Sequence, residues 1–392
     1  MHAQKLTAKS ENEKEEPTTT TTITTARTFN QGSGVAIVVA IAVVVVVVVV
    51  VSTTTVVSNK VKTMRKDGAP SKTAEIIAHL VLILGGNAYG RSCLPDGALQ
   101  ATKDLIRAGR MPYWWCIWYF CNPFHALLAW LIGHYIVHPN FIEGVGMRKV
   151  YIQQAVECFV TEQLQQQQDD DDDDDDDDKK KNKTKKTTKR PQVLVLAAGY
   201  DTLAMRLAPQ YKDADFFEID HPSTARVKQK AIRQLFQEKA STTKTSSSLS
   251  SFPSNLYLEA QDLEAIGLRH ALQDVLSHDF DCTAPTIVVV EGLTMYLNEA
   301  TVIQILDDVA ACVPVGSRIV LDHLGWKNGR IDAGVLLGIM MWMMEVIREP
   351  WKWGKDPADL QEFVSKKGSG VWTVIQQHDR IGLENVAVLQ KD

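Results

Sequence analysis

From residue 192 onward, short apolar runs of strand length alternate with longer stretches of helical pattern. Val193–Ala197 is the first run, in QVLVLAAGYDT, and a glycine-containing turn ends it. Similar runs lie near Phe216–Ile219, Leu256–Glu259, Ile287–Val290 and Arg318–Leu321, and VWTVIQ and VAVLQ near the end supply two more. Helical segments such as Ser223–Lys239 and Glu299–Cys312 separate most of them. Strand and helix in alternation predict a parallel sheet with helices on both faces. The last two strands are so close together that an antiparallel hairpin is expected at one edge.

In sheets of this kind a ligand binds beyond the C-terminal strand ends, at the point where strand order reverses. The polar residues of the pattern fall there. Gly199, Tyr200 and Asp201 follow the first strand, Glu218 and Asp220 end the second, Asp262 follows the third and Glu291 ends the fourth. Such a rim suits a cationic or polyhydroxylated ligand better than a phosphate. Gly199 lets the backbone turn sharply beside a ligand, and Asp201 is placed to cap a helix over Thr202–Leu207. An acid after the second strand, Glu218 or Asp220, can accept from ribose hydroxyls, and Asp262 can accept from an adenine amino group. Asp201 could instead be only a helix cap, and one of Glu218 and Asp220 could merely cap the next helix; the recurrence at successive strand ends favours the ligand. A nicotinamide dinucleotide is disfavoured, because AAGYDT carries one glycine where G-x-G-x-x-G would be needed.

The rest of the chain is dominated by tracts. Residues 1–34 are Thr-rich and polar and read as a disordered tail. Val35–Val51 is 17 consecutive Ala, Val or Ile residues, about 26 Å as a helix, which is the short end of a membrane span. A transmembrane segment is expected over 35–57. Lys60, Lys62, Arg65 and Lys66 on its C-terminal side place the bulk of the chain in the cytosol; a soluble cytoplasmic protein is the alternative. Low-complexity inserts are expected at 165–190, which includes the ten Asp residues Asp169–Asp178, and at 240–254. Pro112–Val137 is aromatic-rich and reads as a buried helical pair or pocket wall, with a membrane-dipping hairpin as the sharper reading. Val335–Ile347 reads as a Met-rich helix, either a lid over the ligand or ordinary core.

Composition changes this picture little. The 392 residues imply two or three domains by length alone, but without the tracts one large domain remains, with a helical, aromatic-rich cap at 68–147 and the main domain at 148–392. The six cysteines lack C-x-x-C spacing, which excludes a disulfide scaffold and argues against a zinc ribbon. A net charge of -5 gives no footprint for nucleic acid.

LVLAAGYDTLAMRL, FFEIDHP, QDL at 261–263 and VVEGLTMYL together resemble the motifs of the leucine carboxyl methyltransferase family, S-adenosyl-L-methionine-dependent enzymes that include bacterial small-molecule-type relatives. GMRKVYIQQAVE at 146–157 resembles the family's helix before the first strand. The likeness covers most of 140–392 and is poor over 70–139. It implies a Rossmann-like class I methyltransferase fold, an α/β architecture with a seven-stranded, mostly parallel sheet and an N-terminal helical cap. It also implies roles: Arg148 for the methionyl carboxylate, Gly199 beside the cofactor, Asp220 or Glu218 for the ribose, Asp262 and Leu263 around the adenine, and Glu291 for the methionyl amino group. Lys72, in APSKTAE, aligns weakly with an N-terminal lysine of the family. One departure is Ala197, which stands where the family's first motif has glycine.

The function implied is methyl transfer to an oxygen, carboxylate or hydroxyl, of a small or lipophilic acceptor. A protein C-terminal leucine is the alternative acceptor. A non-catalytic, membrane-tethered S-adenosylmethionine-binding protein is the alternative of another class. A carboxylate acceptor needs no general base, whereas a hydroxyl does; His323 is the first candidate and His221 the second. Tyr296 is placed to orient the acceptor. No metal is expected.

Overall fold

The computed structural model describes residues 71–110, 122–132, 140–172, 189–242, 252–275, 279–327, 330–331, 341–342, 344–345, 349–367 and 370–392. The Thr-rich tail, the poly-Val segment, most of the Asp and Lys blocks and most of Pro112–Val137 and Val335–Ile347 lie outside them. The transmembrane expectation is corrected: among the described residues no helix is long and apolar enough to cross a membrane, and 35–57 itself lies outside the described residues.

The chain enters through α1 (Lys72–Leu84), a short turn at Ala88–Ser92, α2 (Ala98–Gly109) and α3 (Pro123–Ile132). Ser71 caps α1 by accepting from the Ala74 amide. The long helix α4 (Phe141–Asp172) follows, so the expected boundary at 147/148 and the start of the 165–190 insert both lie within one helix. Buried Ile152, Val156, Phe159 and Val160 anchor α4 on the sheet. Once that packing has nucleated the helix, Gln165–Gln168, good helix formers, extend it at little cost.

The doubly wound part then runs β1 (Gln192–Leu196), α5 (Leu203–Leu207), β2 (Asp215–Asp220), α6 (Pro222–Thr242), β3 (Leu256–Ala260), β4 (Thr286–Val290), α7 (Glu299–Cys312), β5 (Arg318–Lys327), the two-residue strands β6 (Arg330–Ile331) and β7 (Gly354–Lys355), α8 (Pro357–Lys367), β8 (Trp372–Ile381) and β9 (Glu384–Lys391). The principal path has seven strands in the order β3-β2-β1-β4-β5-β9-β8, with β6 and β7 pairing on the extended end of β5. The first five strands are parallel, and β9 is antiparallel to both neighbours, so the expected edge hairpin is present.

Period-2 alternation sorts the strand residues between two cores. Val193, Val195, Phe216, Ile287, Val289 and Val320 face the core that includes residues of α1, α2, α4 and α6. Leu194, Leu196, Phe217, Val288, Val290 and Leu321 face the core that includes residues of α7 and α8. Both faces are covered, which is why the central strands are apolar throughout rather than alternating. Strand order reverses between β1 and β4, opening a crevice at their C-terminal ends, and the N-terminal helix α1 lies against that crevice.

Candidate functional site

At the switch point a cavity of about 290 Å³ is lined by the end of β1 and its loop from Val195 to Thr202, Asp220 of β2, Glu291 and Gly292 after β4, Tyr296, Arg148 and Lys149 of α4, the Ser71 cap and Thr73 of α1, and Glu349. That volume is at the lower end of the ligand-pocket range. Of the sequence-predicted residues, Arg148, Gly199, Asp220, Glu291 and Tyr296 come together here. Lys72, Glu218, Asp262, Leu263 and His323 are not part of this lining.

The β1 loop is bent by two left-handed residues, Ala197 (φ 50) and Gly199 (φ 49), on either side of Ala198. A Cβ on Gly199 would sit 3.2 Å from the Ala74 Cβ, so the absent side chain lets α1 and the loop approach across the cavity. Asp220 fixes the loop, its Oδ2 accepting from the Gly199 amide at 2.7 Å and its Oδ1 from the His221 amide at 2.6 Å. Each oxygen keeps a lone pair for another donor. Burial pushes the Asp220 carboxyl up, against these two backbone donors and Lys228.

Glu218, its competitor, lies within the sheet and pairs with Lys228 at 2.7 Å, both side chains buried. Asp262 caps the turn Leu263–Ile266, accepting from the Glu264 and Ala265 amides. Leu263 packs partly buried against the α7/α8 core. Lys72 pairs with Glu75 at 3.2 Å.

A buried charge cluster forms the wall under β4. Arg148 is 2% exposed. Its Nε contacts Glu291 Oε1 at 3.2 Å, and its Nη1 lies 2.9 Å from Asp322 Oδ2 and 2.7 Å from Glu384 Oε1. Lys149 bridges Asp201 Oδ1 and Glu291 Oε1, each at 2.7 Å. Burial alone would raise the Asp201 carboxyl, but Lys149 and Lys228 outweigh it and hold the group well below the usual carboxylate range. Arg148, expected to hold a ligand carboxylate, thus already carries three of the chain's own.

Sequence reasoning passed over Lys149, Asp322, Glu384 and Glu349. Lys149 and Asp322 are the immediate neighbours of the named Arg148 and His323. On a strand, adjacent side chains point to opposite faces: Asp322 reaches Arg148 on the α4 side, whereas His323 lies on the other face beside Trp353, with ring centroids 6.1 Å apart. His323 is fully buried, its Nδ1 lies 3.2 Å from the Leu324 carbonyl, and burial pushes its pKa down to about 4. Glu349 sits on the N-terminus of α1. It accepts from the Lys72 amide at 3.2 Å, the Thr73 amide at 3.1 Å, and the Ser71 and Thr73 hydroxyls, where a carboxylate meets the positive end of the helix dipole.

A doubly wound sheet in this order, with an antiparallel strand between β5 and the edge and a ligand crevice where β1 meets β4, defines a Rossmann-like class I methyltransferase fold. Within that class, residues 177–310 match the family model described as "Leucine carboxyl methyltransferase", in agreement with the resemblance read from the motifs. The chain is 30% identical over 147 residues to a Mycobacterium sp. (strain JLS) protein named "Putative S-adenosyl-L-methionine-dependent methyltransferase", covering 36% of this chain and 42% of that one. It is 31% identical over 118 residues to "Leucine carboxyl methyltransferase 1" of Candida albicans, covering 28% of this chain and 32% of that one. The match thus spans about two fifths or less of these two relatives. Human N-acetylserotonin methyltransferase, solved in complex with SAM, superposes with a TM-score of 0.35 at 10% identity, covering 76% of this chain and 68% of that one.

Proposed function

We propose that the chain is a methyltransferase whose cofactor is S-adenosyl-L-methionine and which methylates an oxygen of a small or lipophilic acceptor. The observation that carries the reading is the convergence of Gly199, Asp220, Glu291 and Arg148 on one switch-point cavity. The residues present fit that cofactor. Asp220 has lone pairs left for ribose hydroxyls, Gly199 leaves room for close approach, and the carboxylates of the wall suit an ammonium group. When bound, the cofactor supplies a methyl group already activated on a sulfonium.

The chain's own residues then have to bind, align and exclude water. Asp220 holds the β1 loop and the ribose together. Glu291, whose Oε1 is fixed by Arg148 and Lys149, offers its other oxygen to the ammonium. Tyr296 lines the cavity with its hydroxyl held protonated by burial, so it acts as a donor that orients an acceptor oxygen. The small or lipophilic acceptor is supported by the aromatic-rich segment 70–139, which falls outside the matched family region. The protein C-terminal leucine remains the second reading, supported by the family description.

Isothermal titration with S-adenosyl-L-methionine tests the cofactor first. Micromolar binding to the wild type, weakened at least about tenfold in Asp220→Ala by loss of a charge-assisted contact, is expected. Absence of heat, or equal binding by the variant, would sink the assignment. Labelled methyl transfer into a lipid and metabolite extract, compared with a protein extract, then separates the two acceptors.

A further inference from the structure

Four carboxylates, Asp201, Glu291, Asp322 and Glu384, meet two cations, Arg148 and Lys149, in the wall beneath Glu291. Asp322 is fully buried and Glu384 nearly so. Asp322 Oδ1 accepts from the Gly292 amide at 2.8 Å, which ties β5 to the cavity-lining loop after β4. Its Oδ2, although 2.9 Å from Arg148 Nη1, makes no hydrogen bond among the described residues, and neither does Glu384 Oε2. Two buried acidic oxygens without a donor, on two carboxylates that share one guanidinium nitrogen, are the arrangement in which one carboxylate keeps its proton.

We propose that Asp322 and Glu384 are positioning residues for Glu291. The surplus negative charge of their cluster is balanced by a proton in the free protein and by the ammonium end of the ligand in the complex. The inference rests on the cofactor reading above and deepens it. Asp322 and Glu384 hold Arg148, Arg148 Nε holds Glu291, and the Gly292 amide holds the loop that carries Glu291. Arg148 from α4, Glu291 from the loop after β4 and Glu384 from β9 act on Asp322, Lys149 from α4 acts on Glu384 and Tyr296 on Arg148; His323, its neighbour on β5, points away. Burial pushes Asp322 up to about 7, with Arg148 pulling down and Glu384 and Glu291 adding to the rise. Glu384 is raised by burial in the same way.

An ammonium arriving at Glu291 favours the ionised form of both acids, so binding releases a proton and strengthens as pH rises. For a group titrating near 7, affinity falls about tenfold between pH 8 and pH 6. The test is titration with S-adenosylhomocysteine at pH 6.5 in phosphate and in Tris, whose different ionisation heats count the protons released. The wild type is expected to release close to one. Asp322→Asn is expected to release almost none and to raise the KM for S-adenosyl-L-methionine more than it lowers kcat. Glu384→Gln repeats the test if the first variant fails to fold. Wild-type binding with no buffer dependence, or a wild-type proton count in both variants, would overturn the proposal. Failure of the wild type to bind at any pH would instead remove the cofactor reading, and this inference with it.

Discussion

Ala197 is where the sequence's one departure from the motif becomes a measurable quantity. It stands at φ 50, directly after β1, in the loop that lines the cavity. A residue with a Cβ in the left-handed region costs roughly 1–2 kcal/mol. Ala197→Gly removes that strain and adds back about 0.4–1 kcal/mol of unfolded-chain entropy. The net expectation is stabilisation by about 0.5–1 kcal/mol, or about 2 °C in a domain of this size. Gly199→Ala is the mirror experiment. It introduces the same strain at φ 49 and places a Cβ 3.2 Å from the Ala74 Cβ, so a loss of about 1 kcal/mol or more is expected. Urea unfolding reports both, as midpoint shifts of opposite sign at unchanged slope. A lowered midpoint for Ala197→Gly, or shifts of the same sign for both variants, would refute the reasoning from backbone strain.

Lys149→Met leaves Asp201 and Glu291 without their shared cation in a buried wall, and a loss of about 3–5 kcal/mol in chemical denaturation is expected. Glu349→Gln keeps the hydrogen-bonding shape at the start of α1 but removes its charge; a loss of about 0.5–1 kcal/mol, diminished by high salt, is expected in thermal unfolding. His323 is held neutral, with its pKa lowered to about 4 by burial, so the unfolded chain binds the extra proton first. The stability this group confers is complete above about pH 6.5 and is lost as pH falls toward 4, by about 3 kcal/mol at the low end. Asp322, raised to about 7, has the opposite slope, losing stability as pH rises from about 4 to 7. The comparison must therefore be His323→Gln against wild type, the variant losing less stability between pH 6.5 and 4.5.

Much of the fold was legible because it rests on local pattern. The strands β1 to β5 lie where short runs rich in apolar residues placed them, β5 running on past Leu321 to Lys327, and Glu299–Cys312 is a helix over the predicted residues. The acids at strand ends were legible for the same reason, since a chain leaving a parallel strand puts its next polar residue on the C-terminal rim. The sequence by itself therefore determined the alternation of strand and helix that makes a mostly parallel sheet and the candidacy of Gly199, Asp220 and Glu291, while the strand order and its reversal between β1 and β4 came from the tertiary structure.

The tertiary structure decided among residues whose local patterns are equivalent. Glu218 and Asp220 share a strand and a face; only the position of Lys228 on α6 draws Glu218 into a buried pair and leaves Asp220 on the cavity. Asp220 ends a strand and Asp262 follows one, but Asp262 turns onto its own helix amides. Asp322 and His323 are adjacent in sequence, and the pleat sends one to Arg148 and the other to Trp353. Arg148 read as a clamp for a ligand carboxylate because one residue in a motif carries no record of its distant partners. Asp322 and Glu384 reach it across 174 and 236 positions of chain, and charge pairing over such separations is set by packing, not by any pattern along the sequence.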